Sequence, residues 1–343
     1  MKKYKILITG AAGFIGSHLT DYLIEKKQIV YTTDNLSGGF IENVNKKSIF
    51  AKLELTNTQI TSKYIKKIKP EIIYHLAADA SEGRSQFTPI ISTNNNYNSF
   101  LNVLVPAIKS GLQKIVVVSS MSVYGDQKPP FSEEMAVKPV DIYGVAKSSM
   151  EKATKILSDI YGFKYVIIRP HNVYGPRQNL SDPYRNVIGI FINRLLANKN
   201  FYIYGNGKQK RAFTYIDDCA PYIAKAGLEN FNKQIFNIGP EKPTTINNLA
   251  KIILSYFVKD PRNLPKNLIP TYLPSRPVEV VNAYSKNTKA IKLLGFKQST
   301  TLKEGIEKTI KWAKGKGHQK FRYLKELEIS SSITPKTWTE KLI

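Results

Sequence analysis

The sequence predicts an α/β fold, a doubly wound parallel sheet with a smaller mixed α/β C-terminal unit. Three observations predict it. Short apolar runs alternate with segments of helical periodicity as far as about residue 176, the order expected of β-α-β units around a parallel sheet. A glycine-spaced turn, Gly10-Ala11-Ala12-Gly13-Phe14-Ile15-Gly16, stands between the first apolar run and the first helical segment. Beyond Pro176 the alternation lapses into shorter elements broken by turns and prolines.

Taken in order, Ile6-Leu7-Ile8-Thr9 is a nearly continuous apolar run that suits a strand buried on both faces. Ile15, Leu19, Leu23 and Ile24 then recur at helical spacing, so the three glycines occupy a strand-to-helix turn. The second strand, Ile29 to Thr33, ends in Asp34 and is followed by a flexible Gly38-Gly39 loop. A third, roughly Ser48 to Leu55, precedes a Lys-rich helix that stops at Lys69-Pro70. Ile72 to Leu76 is the fourth strand and finishes in Ala77-Ala78. A helix over Asn94 to Ser110 has Phe100, Leu101, Leu104 and Ile108 on one face and Gly111 to close it. The fifth strand, Lys114 to Ser120, ends polar, and after a Pro-punctuated loop from Asp126 to Val140 a helix runs from Tyr143 to about Tyr161. The sixth strand, Tyr165 to Ile168, leads into Arg169-Pro170-His171-Asn172.

The second half contributes a helix from Asn186 to Ala197, a strand Phe201 to Tyr204, a Gly205-Asn206-Gly207 turn and a Pro-rich segment from Pro261 to Pro277. Ile235 to Gly239 is expected to return to the main sheet. Residues 1–176 are therefore expected to form the first unit, with returns near 212–239 and 281–296, and residues 177–343 mainly the second unit and a tail. That tail, from Lys314 and including Trp338, carries no readable chemistry.

At 343 residues with 42% hydrophobic content the chain is long enough for one large core or two modest ones. It holds no apolar run long enough to cross a membrane, and its first strand follows Met1-Lys2-Lys3 at once, without room for a signal peptide. A cytoplasmic protein is expected, with neither a membrane nor a nucleic acid as partner. The single cysteine, Cys219, excludes an internal disulfide and a multi-cysteine metal site, and reads as a small core residue. The net charge of +25 comes mostly from scattered lysines without a nucleic-acid recognition motif, so it describes a solvated surface. No metal is implied.

The chemistry begins at the glycines. A helix N-terminus offers unpaired amides and the positive end of a dipole to a pyrophosphate, and a Cβ at these positions would hold that ligand away. Asp34, eighteen residues past Gly16, is placed to accept both ribose hydroxyls of an adenosine and to repel a 2′-phosphate. With no Arg or Lys in Asn35-Leu36-Ser37, NAD is favoured over NADP. Small residues at Ala77-Ala78 would let a dinucleotide pass over the sheet edge, whereas His75, inside an apolar run, reads as a packed core histidine. Tyr143 and Lys147 are four apart and share one helix face. For a phenol to work as a base near neutrality its pKa must fall by about three units, about 4 kcal/mol, which Lys147 and a nicotinamide cation would supply through charge.

At this point the chain resembles the extended short-chain dehydrogenase/reductase family, and within it the nucleotide-sugar epimerases of the UDP-glucose 4-epimerase kind. The resemblance rests on Gly10 to Gly16, Asp34-Asn35-Leu36-Ser37, His75-Leu76-Ala77-Ala78, Ser119-Ser120-Met121-Ser122-Val123-Tyr124-Gly125 and Tyr143-Gly144-Val145-Ala146-Lys147. It continues through Arg169-Pro170-His171-Asn172-Val173-Tyr174-Gly175-Pro176, Arg211 to Asp218 and Arg276-Pro277-Val278-Glu279, and so spans nearly the whole chain in order.

The resemblance implies that Tyr143 takes the proton of the sugar 4-OH while the C4 hydride passes to bound NAD+, that Lys147 holds the nicotinamide ribose and lowers the Tyr143 pKa, and that Ser120 bonds the reacting oxygen. It implies a cofactor site at Gly10, Gly13, Phe14, Ile15, Gly16, Asp34, Asn35, Ser37, Gly38, Glu54, Leu55, Leu76, Ala77, Ala78, Asn96, Tyr143, Lys147 and Pro170. Substrate contacts are implied at Ser120, Asn172, Asn186, Val187, Tyr202, Tyr204 and Ala283, with Arg211 and Arg276 clamping the diphosphate and Glu279 on its ribose. A homodimer through the helices containing Asn96 to Ile108 and Lys147 to Ile160 is implied as well.

Departures from the family pattern carry their own expectations. Related dehydratases have an Asp-Glu pair directly after the catalytic hydroxyl residue, and related decarboxylases a nearby Glu; Met121 and Ser122 stand here, which disfavours both reactions. Glu54 replaces an Asp beside the adenine, and the segment Asp79 to Arg84 departs more clearly. Ala283, where relatives carry a residue gating the C2 substituent, leaves room for an N-acetyl group; a slip of one would put Tyr284 there. The expected reaction is epimerisation at C4 of UDP-glucose or UDP-galactose, with UDP-GlcNAc and UDP-GalNAc as further substrates. A 4-reductase or 5-epimerase acting on a GDP- or dTDP-sugar, and a catalytically silent dinucleotide-binding regulator, remain the alternatives.

Overall fold

The computed structural model describes residues 2–260 and 263–343, so Pro261, the first residue of the expected Pro-rich segment, lies outside the described residues. In chain order the strands are β1 (Lys5–Thr9), β2 (Ile29–Asp34), β3 (Ile49–Lys52), β4 (Ile72–His75), β5 (Lys114–Val118), β6 (Lys164–Pro170), β7 (Val173–Tyr174), β8 (Tyr202–Tyr204), β9 (Lys210–Arg211), β10 (Thr214–Tyr215), β11 (Gln234–Ile238), β12 (Thr244–Thr245), β13 (Thr271–Leu273) and β14 (Asn282–Ala283). Seven of them form one sheet in the order β11-β6-β5-β4-β1-β2-β3, with every neighbouring pair parallel. The fold is the doubly wound α/β arrangement. Its order reverses between β1 and β4, so the crevice between the two windings opens above the carboxyl ends of those strands.

Side chains along the central strands alternate between two cores with the period of two that a pleated strand imposes. Ile6 and Ile8 of β1, Val116 and Val118 of β5, and Val166 and Ile168 of β6 enter one core; Leu7, Ile115, Val117, Tyr165 and Ile167 enter the other. The helices Phe14–Glu25 and Ala220–Leu228 cover the first face through Leu19, Leu23, Ile223 and Ala224. Thr58–Ile68, Ser99–Lys109 and Ile142–Tyr161 cover the second through Ile65, Phe100, Val103, Leu104 and Met150. The first core continues without a break into Ile188, Phe191, Phe201 and Phe213 of the second half. The smaller unit is thus packed onto the sheet rather than tethered to it.

The strand β11 adds to the sheet outside β6, as the apolar run there implied. The helix expected over Asn94 to Ser110 differs in form. A turn at Pro89–Thr93 leads through a π-helical stretch, Asn94–Asn98, into Ser99–Lys109. The asparagines account for this, because their side chains compete for the groups that close helical turns: Asn96 Nδ2 donates to the Ser92 carbonyl at 2.7 Å, and Asn98 Nδ2 to Asn94 Oδ1 at 2.7 Å. The following Ser99 Oγ takes the Asn95 carbonyl at 2.8 Å.

Candidate active site

A cavity of about 690 Å³ opens at the carboxyl ends of the sheet strands. Its first wall is the glycine turn. Gly10 has φ +70°, and a Cβ on Gly16 would lie 2.2 Å from the Gly10 carbonyl oxygen, so helix Phe14–Glu25 is drawn close to β1 only because no side chain intervenes. Gly13 caps that helix without a side-chain hydrogen bond. A cradle that a Cβ would fill, facing a helix N-terminus free of side-chain capping, fits the diphosphate of a dinucleotide.

Asp34, at the end of β2, is buried and accepts from the Ala12 amide at 3.0 Å and the Leu36 amide at 2.8 Å. Burial raises its pKa, and these amides oppose the rise. A carboxylate has about four acceptor positions, so acceptors remain for ribose hydroxyls. Asn35 Nδ2 donates to Glu54 Oε2 at 2.8 Å, which ties together two further predicted cofactor contacts. Phe14, Ile15, Ser37, Gly38, Leu55, Leu76, Ala77, Ala78 and Pro170 complete this part of the lining. Asn96 does not line it. Its amide turns back on the Ser92 and Asp79 carbonyls, a consequence of the π-helical stretch, while Asn95 and Ser99 reach the wall instead.

Ser120, Tyr143 and Lys147 share the cavity wall beyond the end of β5. Asp141 sets the position of the last two: its carboxylate caps helix Ile142–Tyr161 through the Gly144 amide at 2.7 Å and accepts from Ser122 Oγ at 2.6 Å. Burial pushes the Tyr143 phenol well above its ordinary pKa, and the Glu82 carboxylate adds to this; the hydrogen bond with Ser120 and the Arg185 guanidinium work the other way. Burial draws the Lys147 amine down to about 7 against the pull of Glu151. Its Nζ donates to the Val118 carbonyl at 2.9 Å and lies 5.7 Å from the centroid of the Tyr143 ring.

Behind this wall lies a buried ion pair that no spacing along the chain records. Arg169, from β6, meets Glu151 through Nε at 2.9 Å and Nη2 at 2.6 Å, and Ser119 Oγ donates to the same carboxylate at 2.6 Å. Arg169 also donates to the Tyr124 hydroxyl at 2.7 Å. The residue before Ser120 is thereby tied to Glu151, four beyond Lys147, whose carboxylate is in turn held by one guanidinium.

Across the cavity Arg211 and Arg276 approach the same oxygen, Glu279 Oε1, at 4.0 and 3.1 Å. Asn172, Asn186, Val187, Tyr202 and Tyr204 line the space between the two walls. Ala283 is not on this lining. It pairs with Arg211 in the β9–β14 ladder and faces an adjoining side cavity of about 60 Å³, whose wall also includes Met121, Asn172 and Arg276.

Three wall features escaped the sequence. Glu82 faces both cavities. Arg185, paired with Asp182 at 2.8 Å, reaches over Gly38. The tail supplies Thr337, Trp338 and Ile343. It is held by the Arg322 amide on the Ser181 carbonyl at 2.8 Å, by Glu328 accepting from the Ile90 and Ile91 amides at 2.7 and 2.8 Å, and by Trp338 packed edge-on to Phe87 and Tyr184. His75 is buried on Thr9 Oγ1 at 3.1 Å and off the lining, as its apolar run indicated, and Cys219 is buried too. No helix among the described residues is long and apolar enough to cross a membrane.

A family model described as the NAD dependent epimerase/dehydratase family matches residues 6–239. A protein of Methanocaldococcus jannaschii is 36% identical over 313 residues, covering 90% of this chain and 98% of its own length. A UDP-glucose 4-epimerase of Mycolicibacterium smegmatis is 33% identical over 321 residues (91% and 99%), and a UDP-glucuronate 4-epimerase of Thermodesulfobacterium geofontis 30% over 322 (90% and 95%). Among solved structures, UDP-glucose 4-epimerase of Thermotoga maritima with UDP-glucose superposes at TM-score 0.83 with 34% identity, covering 91% of this chain and 99% of that one. UDP-N-acetylglucosamine 4-epimerase of Methanobrevibacter ruminantium, in complex with UDP-N-acetylmuramic acid, gives 0.81 and 30% (91% and 98%). UDP-glucuronic acid 4-epimerase of Bacillus cereus, in complex with UDP-glucuronic acid and NAD, gives 0.80 and 29% (90% and 99%).

Proposed function

Because the chain belongs to the NAD-dependent epimerase/dehydratase family, we propose that it is a UDP-hexose 4-epimerase that oxidises C4 transiently and returns the hydride to the opposite face. The observation that carries this reading is the meeting of Ser120, Tyr143 and Lys147 on one wall with the Arg211 and Arg276 pair on the other. A nucleotide sugar reaches between them, with its diphosphate at the guanidiniums and its C4 hydroxyl at the phenol.

When bound, the dinucleotide supplies reversible hydride acceptance at C4 and a positive charge beside the phenol. Gly10, Gly13 and Gly16 hold its diphosphate and Asp34 its adenosine ribose. The Tyr143 phenolate accepts the C4 hydroxyl proton and later gives it back, and the Ser120 hydroxyl bonds the same oxygen throughout. Lys147 orients the nicotinamide ribose. A 4-keto sugar formed in this way turns over in the cavity before reduction.

The side cavity at Ala283 supports acceptance of a 2-acetamido group, so UDP-GlcNAc is included as a substrate. Val105, Val145, Ile156 and Ile160, exposed on the helices Ser99–Lys109 and Ile142–Tyr161, support a homodimer through those helices. Incubation with UDP-, GDP- and dTDP-sugars, read by NMR, tests the reading. Interconversion of UDP-glucose and UDP-galactose without net NADH is expected; no C4 inversion of any UDP-sugar, or stoichiometric NADH consumption, overturns it. Good turnover of UDP-glucose with none of UDP-GlcNAc removes the acetamido part alone.

A further inference from the structure

One charged group on the substrate wall has no task in that mechanism. Glu82 opens the four-residue helix Glu82–Ser85, and among the described residues its carboxylate has no ion-pair partner. Its neighbour Arg84 is committed elsewhere, to Asp79 at 2.6 Å and to the face of Tyr184. Glu82 lines the main cavity together with Tyr143, Arg211 and Arg276, and the side cavity together with Asp141, Arg211 and Arg276, and these are the charged and titratable groups with which it interacts.

These neighbours fix what Glu82 confronts. In the proposed function, on which this inference rests, Tyr143 meets C4 of the sugar and the two arginines meet its diphosphate. A carboxylate within electrostatic reach of both ends faces the hexosyl ring that joins them. We propose that Glu82 is a specificity-determining residue that admits nucleotide sugars with an uncharged hexosyl ring and rejects hexuronates.

The chemistry is that of an acceptor without a donor. A carboxylate accepts hydrogen bonds from ring hydroxyls or from the hydroxymethyl group of a neutral hexose. Glu82 is solvent-exposed on the wall of the cavity, and a hexuronate would bring a second carboxylate beside it, where the two like charges repel each other. The nearby cations are occupied: Arg211 and Arg276 face Glu279 and a diphosphate, while Arg185 is paired with Asp182 at 2.8 Å on the side of Gly38. Desolvation by the cavity walls and the Asp141 carboxylate raise the pKa of Glu82 while the two guanidiniums oppose the rise, so discrimination is read at alkaline pH, with the group charged.

The test compares wild type with Glu82→Gln and Glu82→Val, each as the full chain loaded with NAD. Affinity for UDP-glucose and for UDP-glucuronate is measured by calorimetry, and turnover of both by NMR. Wild type is expected to bind UDP-glucuronate at least about tenfold more weakly than UDP-glucose, and both variants to narrow that ratio by about tenfold. An unchanged ratio in the variants, a wild-type preference for the uronate, or release of CO2 from it overturns the inference. Turnover of UDP-glucose with an unchanged ratio overturns this inference alone. Intact discrimination in binding without epimerisation supports it and overturns the proposed reaction instead.

Discussion

Lys147 lies one helical turn beyond Tyr143, its ammonium 5.7 Å from the centroid of the phenol ring and donating to the Val118 carbonyl at 2.9 Å. Burial works against the charged form of both, raising the phenol and lowering the amine. A dry site of this kind favours a phenolate only once a further positive charge enters, which the oxidised nicotinamide supplies. In the proposed reaction the Tyr143 base would therefore be armed by cofactor binding rather than permanently.

Tyr143→Phe removes the proposed proton acceptor and leaves the glycine turn and Asp34, which would hold the diphosphate and the adenosine ribose, untouched. Retained NAD, read by absorbance after denaturation, is expected to match wild type, while epimerisation falls by about 10²–10⁴-fold. Activity within a few-fold of wild type would contradict the assignment of the base.

Lys147→Met gives a pH signature in the dinucleotide-free protein. The amine titrates at about 7 when folded and at 10.5 when unfolded. Below about 7 both states hold the proton and the native state bears the whole desolvation penalty; between about 7 and 10.5 the unfolded chain binds more protons, so this group makes stability rise with pH. The stability of the Met variant relative to wild type is thus greatest at neutral pH and declines toward pH 10. Urea midpoints along a pH series check the sign, and a flat difference would contradict it.

Gly16→Ala places a methyl group 2.2 Å from the Gly10 carbonyl oxygen, a backbone atom that cannot swing aside. Overpacking of this kind costs about 1–3 kcal/mol. The expected outcome is a lowered urea midpoint together with loss of copurifying NAD, because helix and turn must separate where the diphosphate sits.

Trp338→Ala releases the tail. Trp338 is buried against Phe87 and Tyr184, and Thr337 Oγ1 meets the Tyr204 hydroxyl on the cavity wall. Faster amide exchange over residues 320–343 and a raised KM for the nucleotide sugar with kcat little changed are expected. Unaltered exchange would show that Glu328 and Arg322 hold the tail without it.

What the sequence made legible was local. Gly10, Gly13 and Gly16, the Asp34 that ends β2, and Tyr143 with Lys147 are each fixed by spacing within one strand-turn-helix unit, and the parallel sheet follows from apolar runs of strand length. Glu82, Arg185 and Trp338 come together at one cavity from segments about a hundred residues apart in the chain, which no periodicity records. The resemblance implies Asn96 at the cofactor, but in the π-helical run its amide bonds to the Ser92 and Asp79 carbonyls, beside the Asn98–Asn94 side-chain pair, and turns inward. Ala283 is implied at the substrate by the resemblance alone; its ladder with β9 sets it on the side cavity rather than the main one.

Of the seven strands of the sheet, β11 is the last in the chain, and it pairs with β6 at the sheet's edge. Without Gln234–Ile238, β6 would be an uncovered edge with Val166, Ile167 and Ile168 in a row, a template for pairing with another extended chain. A fragment ending near Pro176 is therefore expected to associate with itself through that bare edge, while the chain that includes β11 is not.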